Sequence, residues 1–459
     1  MEKLNLKELK NKKFHFIGIG GISMSALAFI LNSNGFFVQG SDEVNGEEVK
    51  KLTAKNIKVF IGHHEENVLG ADVVVVSSAI HEDNPEYRFA VRNGLMVIGR
   101  AALLGAIAES YKNVIAIAGS HGKTTATAMI GEMFIQAGMN PTLHLGGVLK
   151  SLGSNCLIGE REYFITENCE YKDNFLYVEP DISVVLNIDK DHLDYFGDLN
   201  GVKSSFCKYI KNTKSGGINV ICGDDRNSKC LFGLDNSIKF GFGSKNQVYA
   251  KSIKEYRAGY YSFDVIFEKC HLGNIKLNVV GKHNILNALA CVCVGVVSGI
   301  DFEIIKRAIE NFSGVKRRCE VVGKVNGAVV FHDYAHHPKQ IEKMIAVAKS
   351  CKDKKGKVIV VFEPHTYSRT KYLLKNFAKS FSGADMVILA PVYSAREKES
   401  DGLGSKDLLL ETKKHVKISV EIDAYKDIAK VIKQVAIKGD IVMVLGAGTI
   451  EKLPKLMID

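Results

Sequence analysis

The sequence has no apolar run long enough to span a membrane, and its first residues lack the apolar segment of a secretory signal. Its ten cysteines are scattered without the spacing of a metal site. It also lacks low-complexity tracts and repeats of roughly 20 to 50 residues. These absences predict a cytoplasmic globular protein with free thiols, no membrane partner and no disulfide framework.

Basic residues exceed acidic ones, 61 against 51, which gives a net charge of +10 in a chain of 459 residues. That charge fits a small anionic substrate, such as ATP or a nucleotide sugar, as well as it fits nucleic acid. The basic residues form no aromatic-interleaved stripe, so we expect no nucleic-acid partner. The chain is longer than a single hydrophobic core usually accommodates, so we predict roughly two to four domains.

The most informative segment is 114–125, Val-Ile-Ala-Ile-Ala-Gly-Ser-His-Gly-Lys-Thr-Thr. It predicts a buried parallel strand, a glycine loop and a helix from Thr124 to about Ala137. Such a loop directs backbone N–H groups and a helix dipole at one point, which suits phosphate. A lysine would contact the β- and γ-phosphates and a threonine hydroxyl could bind Mg²⁺. The predicted nucleoside triphosphate site is Gly119, Ser120, His121, Gly122, Lys123, Thr124 and Thr125.

The segment before residue 108 predicts a Rossmann-like sheet, because strands alternate with helices. A strand leads into the glycine turn 18–21 and a helix ending near Asn32; further strands are predicted at 36–40 and, as the third, at 72–78. Ser23 stands where a dinucleotide fingerprint has its third glycine, and Asp42 supplies the later acidic residue. On these residues alone, a nicotinamide cofactor stays an alternative to another nucleotide.

The fold predicted for the whole chain is α/β with three domains. Residues 1–108 would form the Rossmann-like N-terminal domain, and 109–314 a central P-loop ATPase-type domain with a parallel sheet. Residues 315–459 would form a second Rossmann-like domain, with strands at 328–331, 358–362, 386–389 and 441–445. Within the central domain we expect a β-rich insertion at 241–280 and a helix at 284–297.

Polar clusters follow two further apolar runs of the central domain. Glu167-Asn168-Cys169-Glu170 follows 163–166, and Asn187–His192 follows 182–186. Because the carboxyl ends of parallel strands share one edge, these clusters should converge on the phosphate loop. Glu167 and the Thr124 hydroxyl suit Mg²⁺. His192 is either a further ligand or a surface histidine.

Asn284 and Asn287 fall on one helix face, where an amide could recognise adenine; the alternative is helix N-capping, which suits Asn284 better. In the third domain, polar segments 333–338 and 363–369 follow strands and resemble an anion site. Their paired histidines also suggest a Zn²⁺ site, but no cysteine or third histidine has a convincing spacing for a further ligand.

Taken together and in this order, the motifs at 15–21, 119–125, 187–194, 281–288, 333–338 and 364–370 resemble those of the ATP-dependent Mur ligases of peptidoglycan synthesis. The resemblance covers essentially the whole chain. It implies that the lactyl carboxylate of UDP-N-acetylmuramate attacks the γ-phosphate of ATP. The amine of L-alanine then displaces phosphate from the acyl phosphate. The alternatives are a sister ligase that adds another amino acid or peptide, and a nucleotide-binding regulator without catalysis.

The resemblance also implies roles for individual residues. Lys123 would hold the ATP phosphates, Asn287 the adenine, and Mg²⁺ would be bound by Thr124, Glu167 and His192. Arg318 and Asp333 would contact ATP from the third domain, and His336, His337 and Arg369 would face the substrate carboxylate and alanine. The sugar nucleotide would lie on Gly18, Gly20, Gly21, Ser41 and Asp42.

Some residues depart from the family pattern. Thr366 stands at a usual arginine position, Cys169 at a usual acidic one and Ala102 at a usual glutamate. Lys203 lies near the position of a carbamylated lysine in related ligases. Because the predicted site uses residues of different domains, we expect closure on substrate binding. The sequence leaves a monomer and a homodimer equally open.

Overall fold

The computed structural model describes residues 4–233, 236–395, 397 and 402–458. Its strands form three sheets, and in each sheet α-helices connect several of the parallel strands, which confirms the predicted three-part α/β fold. None of the helices in these ranges is long and apolar enough to cross a bilayer.

The first sheet is wholly parallel, in the order β3-β2-β1-β4-β5. The order in which strands are added to the sheet reverses between β1 and β4, and open α/β sheets bind ligands at such a point. The segment predicted as the third strand is in fact the fourth, since a short half-exposed strand precedes it. The elements are β1 (Lys13–Ile17), α1 (Ile22–Ser33), β2 (Phe37–Asp42), α2 (Glu47–Thr53), β3 (Lys58–Ile61), β4 (Val73–Val76), α3 (Pro85–Arg92), β5 (Met96–Gly99) and α4 (Arg100–Glu109).

The central sheet has the order β15-β14-β13-β12-β11-β10-β6-β9-β7-β8. Its middle is parallel, and the predicted β-rich insertion supplies β13 to β15. The elements are β6 (Asn113–Ala118), α5 (Lys123–Gln136), β7 (Thr142–Leu149), β8 (Ser154–Leu157), β9 (Tyr163–Glu167), β10 (Ile182–Val185), α6 (Leu193–Phe196), α7 (Leu199–Lys211), β11 (Ile218–Cys222), β12 (Ser237–Gly241), β13 (Val248–Arg257), β14 (Tyr260–Phe267), β15 (Cys270–Lys276), α8 (Asn284–Val297) and α9 (Phe302–Asn311).

The third sheet has the order β16-β17-β21-β18-β19-β20, parallel except for the β16–β17 pair. Its predicted strands are present, with edge strands β16 and β20 in addition. The elements are β16 (Glu320–Val325), β17 (Ala328–Asp333), α10 (Pro338–Cys351), β18 (Val358–Phe362), α11 (Tyr367–Tyr372), α12 (Leu374–Ser380), β19 (Met386–Leu389), α13 (Ser405–Thr412), β20 (Ile418–Glu421), α14 (Tyr425–Val435), β21 (Ile441–Leu445) and α15 (Pro454–Met457).

The chain divides into two compact units, and the second begins its main part at Val315, where the third domain was predicted to start. The first unit contains the first sheet and most of the central sheet, while Lys254–Tyr261, at the end of β13 and the start of β14, belong to the second unit. One apolar core runs through the first unit, joining Leu27 of α1 and Leu103 of α4 to Phe164 of β9. The predicted boundary near residue 108 lies at the end of α4 within this unit, and both predicted domain boundaries stay predictions.

Candidate active site

The glycine loop after β6 has the backbone that phosphate binding requires. Gly119 and Gly122 have φ values of +145° and +85°, a region that side chains rarely adopt. Gly122 is the N-cap of α5, which begins at Lys123, one residue before the predicted start. A Cβ at Gly122 would lie 3.0 Å from Asn287 Oδ1. Glycine is therefore needed there for space as well as for conformation.

The segment after β10 holds this loop in place. The Asn187 side chain accepts a hydrogen bond from His121 N and donates one to His121 O, both at 2.9 Å. The Ser120 hydroxyl accepts from Asp189 N at 2.8 Å, and His121 Nε2 lies 3.1 Å from the Asp189 carboxylate. These contacts fix the loop and use the N–H groups of Ser120 and His121, which both donate to Asn187. An anion would therefore be bound by the N–H groups that follow at the start of α5.

Lys123 forms an ion pair at the start of α5. Its ammonium donates to Glu170 Oε2 at 2.8 Å and to the carbonyl of Gly119. Burial opposes the charged form, but the nearby charge of Glu170 raises the pKa of Lys123 overall. Glu170 is 1% exposed, and its second oxygen, Oε1, has no hydrogen-bond partner among the described residues. A buried carboxylate oxygen in that state is a natural ligand for a cation.

Glu170, Asp191 and His192 form a cluster whose ligand atoms all lie within 4.8 Å of one another. His192 is the N-cap of α6 with φ +53°, and the ring of Tyr171 lies against its imidazole at 4.6 Å. Glu167, the predicted metal ligand, instead accepts a hydrogen bond from Gly146 N at 3.0 Å. The donor set of two carboxylates and an imidazole fits a divalent cation.

The two asparagines of α8 lie on one face, as predicted: Asn287 Nδ2 donates to Asn284 Oδ1 at 2.8 Å. The N-capping alternative for Asn284 is wrong, because His283 is the N-cap. Asn287 lies against the phosphate loop, next to Gly122. Its predicted contact with adenine stays a prediction.

The glycine turn of the first sheet is closed by β2. The N–H groups of Gly18 and Ile19 both donate to the Ser41 carbonyl at 2.9 Å. Asp42 accepts from Gly20 N at 2.9 Å and from Val44 N at 3.1 Å. Each oxygen of the Asp42 carboxylate therefore already accepts a backbone N–H group, one from the glycine turn and one from the segment after β2.

Beneath this turn lies a buried polar network centred on Glu86. Its carboxylate accepts hydrogen bonds from the side chains of His15 (3.4 Å), Ser41 (2.5 Å), His63 (3.2 Å) and Asn67 (2.6 Å). Burial alone would raise the pKa of Glu86, but these four contacts hold it well below its usual range. The hydrogen bond to Glu86 raises the pKa of His63 against the effect of burial. The Ser41 hydroxyl is thus engaged inside the domain.

This network gives a first prediction. Replacing Glu86 with glutamine should lower the free energy of unfolding at pH 7 by about 3–5 kcal/mol, because it breaks a fully buried ionic network. A carboxylate with a depressed pKa stabilises above its unfolded pKa of about 4.3 and loses this contribution as pH falls. Urea unfolding at pH 7 and pH 4 should therefore show the difference from wild type shrinking in acid, and a constant difference would contradict the assignment. Glu66→Gln, at an exposed position, is the matched control.

The second unit holds the predicted residues of the third domain. Asp333, at the end of β17, accepts from Cys319 N at 2.7 Å and Ala335 N at 2.8 Å. Burial raises the pKa of Asp333, while Arg318 has the opposite effect. The Arg318 guanidinium lies 5.4 Å from the Tyr334 ring centre. Asp333 thus shapes the turn that carries Arg318, and its contact with ATP stays a prediction.

His336 and His365 face each other in this unit, with ring centres 6.0 Å apart. Burial and, next, the charge of Arg369 lower the pKa of His336 to about 3 and of His365 to about 4. His336 Nδ1 lies 2.9 Å from the Tyr334 carbonyl, so this nitrogen carries the proton and Nε2 is an acceptor. His365 Nδ1 is buried with no partner among the described residues. The sequence showed His365 in its motif but gave it no role.

Two other residues, one a predicted site residue and one a departure from the family pattern, are helix N-caps near this pair. His337 is the N-cap of α10, directly before Pro338. Thr366, at the usual arginine position, is the N-cap of α11 with φ +69°. That conformation is rare for a β-branched residue and marks local strain between His365 and Arg369.

The three parts of the chain each match a family model. Residues 13–112 match the Mur ligase family catalytic domain, 117–295 the Mur ligase middle domain and 317–448 the Mur ligase glutamate ligase domain. The chain belongs to the Mur ligase family. The resemblance found in the sequence motifs is thereby confirmed.

Full-length relatives of this Mur ligase agree in one description. A UDP-N-acetylmuramate–L-alanine ligase of Caldicellulosiruptor saccharolyticus is 46% identical over 97% of this chain and 98% of its own. One of Caldanaerobacter subterraneus subsp. tengcongensis is 43% identical over 98% of both chains. A solved UDP-N-acetylmuramate–alanine ligase from Thermotoga maritima superposes with a TM-score of 0.82 at 28% identity, over 97% of this chain and 98% of that one.

Proposed function

We propose that this Mur ligase joins L-alanine to the lactyl carboxylate of UDP-N-acetylmuramate, using ATP and an acyl-phosphate intermediate. The observation that carries the proposal is the juxtaposition, at one edge of the central sheet, of a phosphate loop, the Lys123–Glu170 pair and the cluster with His192. A dehydrogenase would need none of these groups. The full-length relatives support the choice of substrates.

On the ATP side, Lys123 and Glu170 would both exchange partners when the nucleotide binds. The ammonium would leave the carboxylate for the β- and γ-phosphates, and Glu170 would become available to a divalent cation. Glu170, Asp191 and His192, with the Thr124 hydroxyl, would hold Mg²⁺, which neutralises phosphate charge when bound. Glu170 takes the place that the sequence gave to Glu167.

The chemistry then requires two displacements. The lactyl carboxylate attacks the γ-phosphorus, the bond to the β-γ bridging oxygen breaks, and ADP leaves. The alanine amine attacks the acyl carbon, loses a proton, and inorganic phosphate leaves as the C–O bond breaks. The residues of the chain mainly align anions and neutralise charge. We propose that Arg318 contacts the phosphates, and that His336, His337, His365 and Arg369 face the carboxylate and the amino acid.

Amino-acid competition tests the choice of alanine. Enzyme with ATP, Mg²⁺ and UDP-N-acetylmuramate is given limiting L-alanine, L-serine and glycine together, and the products are weighed by mass spectrometry. We expect the alanine adduct to dominate. Thr366, at a usual arginine position, is the one observation that favours a sister ligase with another amino acid, and a dominant serine or glycine adduct would establish that alternative.

A further inference from the structure

Arg100 is a cation at the ligand-binding edge of the first sheet that the mechanism above does not use. It is the first residue of α4 and directly follows β5, the edge strand that pairs with β4. The glycine turn after β1 ends at the same edge, since all these strands are parallel. In such sheets the ligand lies outside the carboxyl ends of the strands, at the switch point.

The Arg100 guanidinium is half-buried and has no carboxylate within ion-pair distance among the described residues. Among the described residues the guanidinium donates one hydrogen bond, from Nη1 to Ser23 Oγ at 3.2 Å. Most of its five N–H groups therefore have no protein acceptor in this part of the chain. Burial lowers the pKa of Arg100. A guanidinium stays charged in such a setting, so its charge lacks a directly bonded counterion.

A chain of hydrogen bonds connects Arg100 to the central sheet. Ser23 Oγ lies 2.8 Å from His144 Nε2, and His144 Nδ1 lies 2.9 Å from Thr166 Oγ1. Since the Thr166 hydroxyl donates to the Glu167 carbonyl, His144 Nδ1 carries the proton and Nε2 accepts from Ser23. Ser23 in turn accepts from Arg100. Burial and the charge of Arg100 lower the pKa of His144 to about 3, which keeps it neutral as this chain requires.

We propose that Arg100 binds an oxyanion of the sugar nucleotide, either a phosphate of its diphosphate or its lactyl carboxylate. The site lies between the glycine turn of the first sheet and the end of β9, which precedes Glu170. A forked guanidinium matches either oxyanion in bidentate fashion. Held through Ser23 and His144 to the central sheet, the same side chain would fix the sugar nucleotide relative to the phosphate loop. This inference rests on the proposed function.

Calorimetric titration without ATP tests the proposal, with UDP-N-acetylmuramate and UDP as ligands. Arg100→Gln should weaken the binding of UDP-N-acetylmuramate about 10- to 100-fold, because a charge-assisted hydrogen bond contributes roughly that much to affinity. A matching loss for UDP would identify the diphosphate as the bound group, and a loss confined to UDP-N-acetylmuramate would identify the carboxylate. Arg92→Gln, at an exposed position paired with Glu65, should leave both affinities unchanged.

Ser23→Ala separates ligand binding from a structural role. It removes the protein acceptor of Arg100, so a merely structural arginine would give the same loss in both variants. We expect Ser23→Ala to change affinity by less than about threefold, because a lost neutral hydrogen bond is weak. Equal losses in the two variants, or unchanged binding in Arg100→Gln, would overturn the proposal. Wild-type enzyme that fails to bind UDP-N-acetylmuramate would instead refute the proposed function.

Discussion

Replacing Lys123 with alanine is expected to lower kcat by roughly 10²- to 10³-fold or more, while the affinity for UDP-N-acetylmuramate stays within about twofold. Lys123 opens α5 beside the phosphate loop, where its charge would stabilise the transferring phosphoryl group. The glycine turn that would bind the sugar nucleotide belongs to another sheet. Single-turnover ADP formation and calorimetric titration measure the two quantities. Loss of both would show that the domain roles are wrongly assigned.

The same substitution leaves Glu170 buried without its cation, which is expected to reduce the free energy of unfolding by about 3–5 kcal/mol. The double variant Lys123→Met with Glu170→Gln removes both charges and controls for this effect. We expect it to recover most of the stability in urea unfolding and none of the activity. Recovered activity would mean that Lys123 acts only through folding.

Replacing Glu170 with glutamine is expected to lower kcat about 10²-fold and to raise the Mg²⁺ concentration needed for half-maximal activity at least about tenfold. The reason is that its buried Oε1 is the unpartnered carboxylate oxygen in the cluster with Asp191 and His192. Glu167→Gln is the matched variant, only three positions away. We expect its Mg²⁺ requirement to change less than about threefold, since Glu167 is bonded to Gly146 N. A large rise in the Mg²⁺ requirement of Glu167→Gln, with little change in Glu170→Gln, would instead identify Glu167 as the ligand.

Strands with long β-branched runs were predictable because they are buried on both faces. β18, β19 and β21 begin and end where the sequence predicted, and so does α8. In the central sheet β7, β8, β11 and β12 escaped prediction, and of these only β8 lies at an edge. In the first and third sheets the strands that escaped prediction, β3, β5, β16 and β20, are all edge strands. Their half-exposed residues have no continuous apolar pattern, so their place depends on pairing with distant strands.

The choice between Glu167 and Glu170 could not be made from sequence. Glu167 ends β9 and Glu170 lies shortly beyond it, so the sequence places both near the same sheet edge. The chain instead turns sharply after Glu170, where Lys172 and Asp173 both have positive φ values. The Asp173 carboxylate then accepts hydrogen bonds from Tyr195 and Ser205, residues of α6 and α7. These tertiary contacts bring Glu170 to His192.

Ser41 and Asp42 show a second limit of motif reading. They were predicted to follow the second strand directly, and they are in fact its last two residues. Their polar groups, however, are engaged by Glu86 and by the backbone of the turn. A motif identifies which residues meet at a sheet edge, but the partners of each side chain follow from packing between elements distant in sequence.

Release of inorganic phosphate from ATP, measured with each substrate left out in turn, tests the central claim most directly. The account predicts release only when UDP-N-acetylmuramate and L-alanine are both present, with one phosphate for each alanine adduct formed. Phosphate released at the same rate without the sugar nucleotide, or nucleotide binding with no ADP formed under any combination, would contradict it.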